Sequence, residues 1–98
     1  MRLQLFYEAI MTYGAPAQKQ MVIEECAELI QAICKLDRAK TFDETAKAIT
    51  HISEEIADVE IMLEQLKIIL GNEYEVVDIK EHKIKRLAER LKKEGKNK

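Results

Sequence analysis

Apolar residues recur every three to four positions through long stretches of this chain, and only a few short groups of turn-forming residues separate the stretches. That pattern predicts helices joined by tight connections. Gly14-Ala15-Pro16 breaks an initial apolar segment, and proline suits the first turn of the helix that follows, predicted from about Pro16 to Arg38. Thr41-Phe42-Asp43-Glu44 has the Thr-x-x-Glu form of a capping box and predicts the start of a third helix. That helix is expected to reach about Leu70, where Gly71-Asn72 offers a left-handed stop, with a possible interruption near His51-Ile52-Ser53 because the Thr50 and Ser53 hydroxyls compete for backbone groups. A fourth helix is expected over roughly Glu75 to Lys93, with Val77, Ile84, Leu87 and Leu91 at heptad-like spacing and Glu94 to Lys98 frayed.

The third helix is apolar nearly all round, from Ile56, Ala57 and Val59 through Ile61, Met62, Leu63, Leu66, Ile68, Ile69 and Leu70. Such a helix is normally surrounded by partners. Four helices from 98 residues can hardly enclose it, so the expectation is an all-α four-helix bundle completed by homodimerisation, as a dimer or a dimer of dimers, with one domain over residues 1–98.

Projection at 100° per residue makes the candidate chemistry visible. Around Glu25, the residues Met21, Val22, Leu29, Ala32, Ile33 and Leu36 all fall within roughly 80°. Glu28 lies one turn along on the same side, and Glu24 falls toward the edge. Around Glu55, the residues Ile52, Val59, Met62, Leu63, Leu66 and Ile69 occupy the same sector, and Asp58 stands to Glu55 as Glu28 stands to Glu25. Acidic clusters on helices are usually solvated faces. Here the neighbours of Glu25 and Glu55 are apolar, and Lys and Arg are nearly absent from those faces. Carboxylates buried in a helix seam need protonation, a salt bridge or a cation. An all-oxygen donor set suits a hard divalent metal, Mg²⁺ above all, with Mn²⁺ as a substitute.

Net charge is −2, but residues 1–79 carry seven Lys and Arg against fifteen Asp and Glu, whereas residues 80–98 carry nine against three. The acidic body argues against a nucleic-acid polymer as partner. No apolar run is long enough to span a membrane, and the first residues lack a secretory cleavage pattern, so a cytoplasmic protein is expected. Cys26 and Cys34 are eight residues apart on one predicted helix, about 12 Å along its axis, too far to bridge. They are expected as reduced core thiols.

The segment Glu24-Glu25-Cys26-Ala27-Glu28, followed after 26 residues by Glu55-Ile56-Ala57-Asp58, resembles the EExxE…ExxD signature of the MazG-like, all-α nucleoside triphosphate pyrophosphohydrolases. The likeness runs from about Gln18 to Leu91. It implies a dimerising helical bundle that hydrolyses a nucleoside triphosphate between the α and β phosphates, releasing pyrophosphate, with a house-cleaning role in the nucleotide pool. It also implies that Glu25, Glu28, Glu55 and Asp58 bind Mg²⁺ and that Glu24 orients a ligand or a water. Lys83, Arg86 and Arg90 project onto one side of the fourth helix and would suit phosphate oxygens if that side turns toward the acids, although basic residues late in a helix are also favoured by its dipole. Family members often carry a Lys followed by an Asn there, and Arg86 stands where the Asn would be sought. Gln18 either reaches the nucleotide or is a surface residue. Tyr13 and Phe42 are expected in the core, with base stacking as the other reading. His51 is expected to be packed or solvent-touching, with approach to a phosphate as its other reading, and His82 to be exposed.

Two rivals come from other classes. A di-iron carboxylate bundle lacks its Glu-x-x-His pairs, since Ala48 and Ile79 stand three residues before His51 and His82. A non-catalytic helical dimer that senses a nucleotide or binds a partner would keep the fold without turnover. A phosphate-binding Gly-rich loop is absent from the sequence.

Overall fold

The computed structural model describes residues 2–96 as four helices: α1 Arg2–Tyr13, α2 Ala15–Arg38, α3 Phe42–Leu70 and α4 Glu73–Lys96. Gly14 alone separates α1 from α2, at φ 90°, a backbone conformation that a side chain would strain. Its N–H donates to the Ile10 carbonyl at 2.8 Å, closing α1, while Pro16 sits in the first turn of α2. The expected capping box forms. Glu44 N–H donates to Thr41 Oγ1 at 3.1 Å, and the Glu44 carboxylate accepts from the N–H groups of Thr41 and Lys40 at 3.3 and 2.9 Å. At the far end Gly71 turns left-handed at φ 63°, and Asn72 N–H reaches back to the Lys67 carbonyl at 3.3 Å.

Two boundary expectations need correction. The third helix is not interrupted near His51: Thr50 and Ser53 donate to the carbonyls of Ala46 and Ile49 at 3.2 and 3.0 Å, bonds that run alongside the helical ladder without replacing it. The fourth helix starts two residues early and continues through Glu94, Gly95 and Lys96. The expected fraying of Asn97 and Lys98 lies outside the described residues.

The short connection Ala39 to Thr41 folds α3 back along α2, and this antiparallel hairpin is the main packed unit, with α1 against both helices. Its core is thin: among the described residues Phe6, Ala32, Val59 and Met62 are the buried apolar ones, joined by the buried polar residues Gln18, Glu55 and Gln65. In contrast α4 packs along none of the other described helices. The radius of gyration is 17.7 Å, well above the roughly 13 Å of a compact domain this size. The four-helix bundle is thus not closed within one chain. Ile56, Ile61, Leu63 and Leu70 on α3, which one chain was expected not to enclose, are exposed in the single chain, as are Val77, Ile84, Leu87 and Leu91 on α4. Tyr13 and Phe42 are also exposed rather than core, at 68% and 91%. Both cysteines are free as expected, but Cys34 is exposed and Cys26 only half-buried, because α2 has just α1 and α3 to pack against.

Candidate metal centre

Midway along the hairpin, α2 and α3 bring three carboxylates together. Each of Glu25, Glu28 and Glu55 offers an oxygen, and these oxygens lie within 4.8 Å of one another. Glu55 is buried and Glu25 half-buried, while Glu28 rims the cluster from an exposed position. Because Glu25 and Glu28 are one turn apart on α2 and Glu55 faces them from α3, the cluster depends on the tertiary pairing of the helices as well as on local periodicity.

The electrostatics are strained in one direction. Burial pushes the Glu25 carboxyl above its ordinary range, and the like charges of Glu28, Asp58 and Glu55 push it further. Glu55 is raised by burial and by Glu28 and Asp58, against a lowering pull from His51. Glu25 Oε2 and Glu55 Oε2 are buried without a hydrogen-bond partner. The ion pairs among the described residues are Lys47 with Asp43 at 3.3 Å and His51 Nε2 with Glu55 Oε1 at 3.9 Å, and no Lys or Arg reaches the cluster. Two orphaned carboxylate oxygens in an all-oxygen set are the donor chemistry that a hard divalent cation satisfies.

Asp58, expected as the fourth ligand, is exposed and outside the converging set, though near enough for its charge to act on Glu25 and Glu55. It occupies the same helical position as Glu28, but its side chain is one methylene shorter. Glu24 is exposed and lines a largely apolar groove of about 490 Å³ with Tyr13, Ala17, Gln18, Met21 and Met62. Gln18 is not a surface residue: it is buried, and its Nε2 donates to Gln65 Oε1 at 2.8 Å. The structure does not bring Lys83, Arg86 and Arg90 to the acids within one chain, since they lie on the unpacked α4. His82 is exposed as expected, with Nδ1 donating to the Asp78 carbonyl at 2.8 Å. His51 is exposed and touches Glu55.

Sequence reasoning missed Gln65. Its signal was a neutral amide on an otherwise apolar face beside Met62, Leu66 and Ile69. No described helix is long and apolar enough to cross a membrane. Searches of known protein families, curated proteins and solved structures find no match to this chain.

Proposed function

We propose that this chain is a Mg²⁺-dependent nucleoside triphosphate pyrophosphohydrolase of the MazG-like kind, which splits the α–β anhydride bond with water to give a nucleoside monophosphate and pyrophosphate. The observation that carries the reading is the convergence of Glu25, Glu28 and Glu55 from two facing helices, with two of their oxygens buried and unpartnered. Leaving such oxygens unpartnered among like charges destabilises a fold, which a scaffold has no reason to bear. The signature Glu24 to Glu28 and Glu55 to Asp58 supports the same reading.

Glu25, Glu28 and Glu55 would hold the ion, with Asp58 joining from the rim and Mn²⁺ able to substitute. When bound, the ion polarises phosphoryl oxygens and eases deprotonation of the attacking water. The protein's own groups do the rest. Glu24, beside Glu25 in the chain and lining the neighbouring groove, would orient a ligand or a water, and any carboxylate not engaged with the cation can accept a proton. Tyr13 offers a nucleobase an aromatic face in the groove that Gln18 and Glu24 also line.

A homodimer belongs to this reading. The apolar strip Val76, Ile79, Ile84 and Leu87, which includes Lys83, is packed along none of the other described helices. The basic end, with nine cationic against three acidic residues over 80–98, complements the acidic body. A second copy laid along α4 would cover the strip and carry Lys83, Arg86 and Arg90 toward the partner's acids.

The test is a panel of canonical and modified triphosphates, with and without Mg²⁺, assayed for pyrophosphate. Release should require the metal and fall at least about 100-fold in Glu25→Gln and Glu55→Gln while the helical spectrum persists. Orthophosphate as product would assign a different bond. Nucleotide binding without turnover would favour the non-catalytic dimer.

A further inference from the structure

The acids repel one another across a seam of flexible and aliphatic side chains, so something must hold α2 and α3 face to face before any cation arrives. At one end of the hairpin the connection Ala39 to Thr41 does this, thirteen residues from Glu25 on α2 and from Glu55 on α3, about 20 Å away along each helix. Elsewhere α1 packs against both helices, and at the other end the seam contains the buried Met62 beside the groove-lining Met21, side chains that adapt to many packings and specify none. There, 47 residues apart in sequence, stand the two buried amides: Gln18 and Gln65 are 6% and 4% exposed and joined at 2.8 Å, and Gln65 Nε2 also donates to Met62 Sδ at 3.7 Å.

We propose that the Gln18–Gln65 pair is a positioning clamp that fixes α2 against α3 at the open end of the hairpin and so keeps Glu25, Glu28 and Glu55 converged. The inference rests on the cation-binding reading of those acids. It explains why amides occupy a site where two leucines would pack as well: a buried hydrogen bond tolerates one rotation of each helix, whereas an apolar contact tolerates several. Gln18 stands seven residues before Glu25 on α2, about 10 Å along the helix. A small rotation or splay at that end therefore moves the acids by more than a metal site allows, since coordination distances are fixed to within about 0.2 Å.

Three variants separate this role from simple packing. Gln65→Leu strands the Gln18 amide and should melt earlier. Gln18→Leu with Gln65→Leu removes both amides and should recover most of the wild-type melting temperature. Both should bind Mn²⁺, measured by electron paramagnetic resonance, roughly tenfold more weakly than wild type. The NOEs from the Met62 methyl group to α2, which need no metal, should change in the double variant. Should the leucine pair unfold the chain, Gln65→Asn, which withdraws the amide by one methylene, carries the same two measurements. Wild-type Mn²⁺ affinity together with unchanged Met62 NOEs in a variant that lacks the bond would overturn the clamp. A wild-type chain that takes up no Mn²⁺ would instead overturn the reading of the acids, and the NOEs alone would then decide whether the amides hold the seam.

Discussion

Replacing Ile84 by aspartate tests whether a second copy covers α4. Val77, Ile84, Leu87 and Leu91 leave 53, 50, 48 and 58% of their surface in water. Full burial of such a side chain contributes about 1.5–3 kcal/mol, so covering the exposed half contributes about 1 kcal/mol. Four residues in each of two copies then supply roughly 8 kcal/mol gross, the free energy of a micromolar dimer before the cost of association. The exposed Ile56, Ile61 and Leu63 of α3 are available to offset that cost. An aspartate at position 84 forfeits about 2 kcal/mol over the two copies and adds two charges whose desolvation costs more. The dimer dissociation constant should rise about 100-fold or more. Sedimentation equilibrium over about 1 to 100 μM reads the change directly, with circular dichroism to verify that the helices persist. A wild-type chain that is monomeric at the upper concentration, or an Ile84→Asp chain that dimerises as wild type does, would refute the reasoning.

The acids also make stability depend on pH. Glu25 and Glu55 have folded-state pKa values raised above the unfolded value of 4.5, so the folded chain binds more protons than the unfolded one over the window from 4.5 to the raised values. Stability must fall as pH rises through that window. The metal-free protein should melt higher near pH 5 than at pH 7 in a thermal scan with chelator, and the slope should shrink in Glu25→Gln with Glu55→Gln. Thr41→Ala, which removes the acceptor for Glu44 N–H, should cost about 1 kcal/mol and lower the melting temperature by roughly 4–8 °C. Mn²⁺ affinity in Thr41→Ala should stay at the wild-type value, because the cap lies more than ten residues from Glu55.

The helix ends were legible because each carries its own local chemistry: Pro16 in a first turn, the Thr41–Glu44 box, and a left-handed Gly71. The acidic cluster was legible because Glu25 and Glu55 sit among apolar neighbours at helical period, a signal that survives projection. Projection gives direction without reach, and for that reason it treated Asp58 and Glu28 alike although only the longer side chain joins the converging set. It also cannot pair residues across elements, so Gln18 and Gln65 carried no sign of each other. For α4 the amphipathic pattern identified an apolar face correctly, but nothing in a single sequence says whether that face meets its own chain or another molecule. The exposure of Phe42 and Cys34 has the same origin, since residues beside an incomplete bundle are apolar without being enclosed.

If a second copy brings Lys83, Arg86 and Arg90 near the acids, metal binding and dimerisation cannot be independent. Cations placed beside the cluster stabilise the ionised carboxylates but repel an incoming divalent ion, so the dimer should bind bare Mn²⁺ more weakly than the monomer does. By reciprocity Mn²⁺ alone should loosen the dimer by the same factor. A triphosphate reverses the sign, because its charge satisfies both the ion and the arginines, and metal together with a non-hydrolysable triphosphate analogue should tighten the dimer. Comparing Mn²⁺ affinity in wild type and in Ile84→Asp, with and without the analogue, therefore reports where α4 lies. Opposite shifts would place its cations at the partner's site. Equal affinities in wild type and Ile84→Asp, both without the analogue and with it, would mean that α4 joins the two copies at a distance from the acids, and Lys83, Arg86 and Arg90 would then be the solvated end of a helix whose dipole favours them.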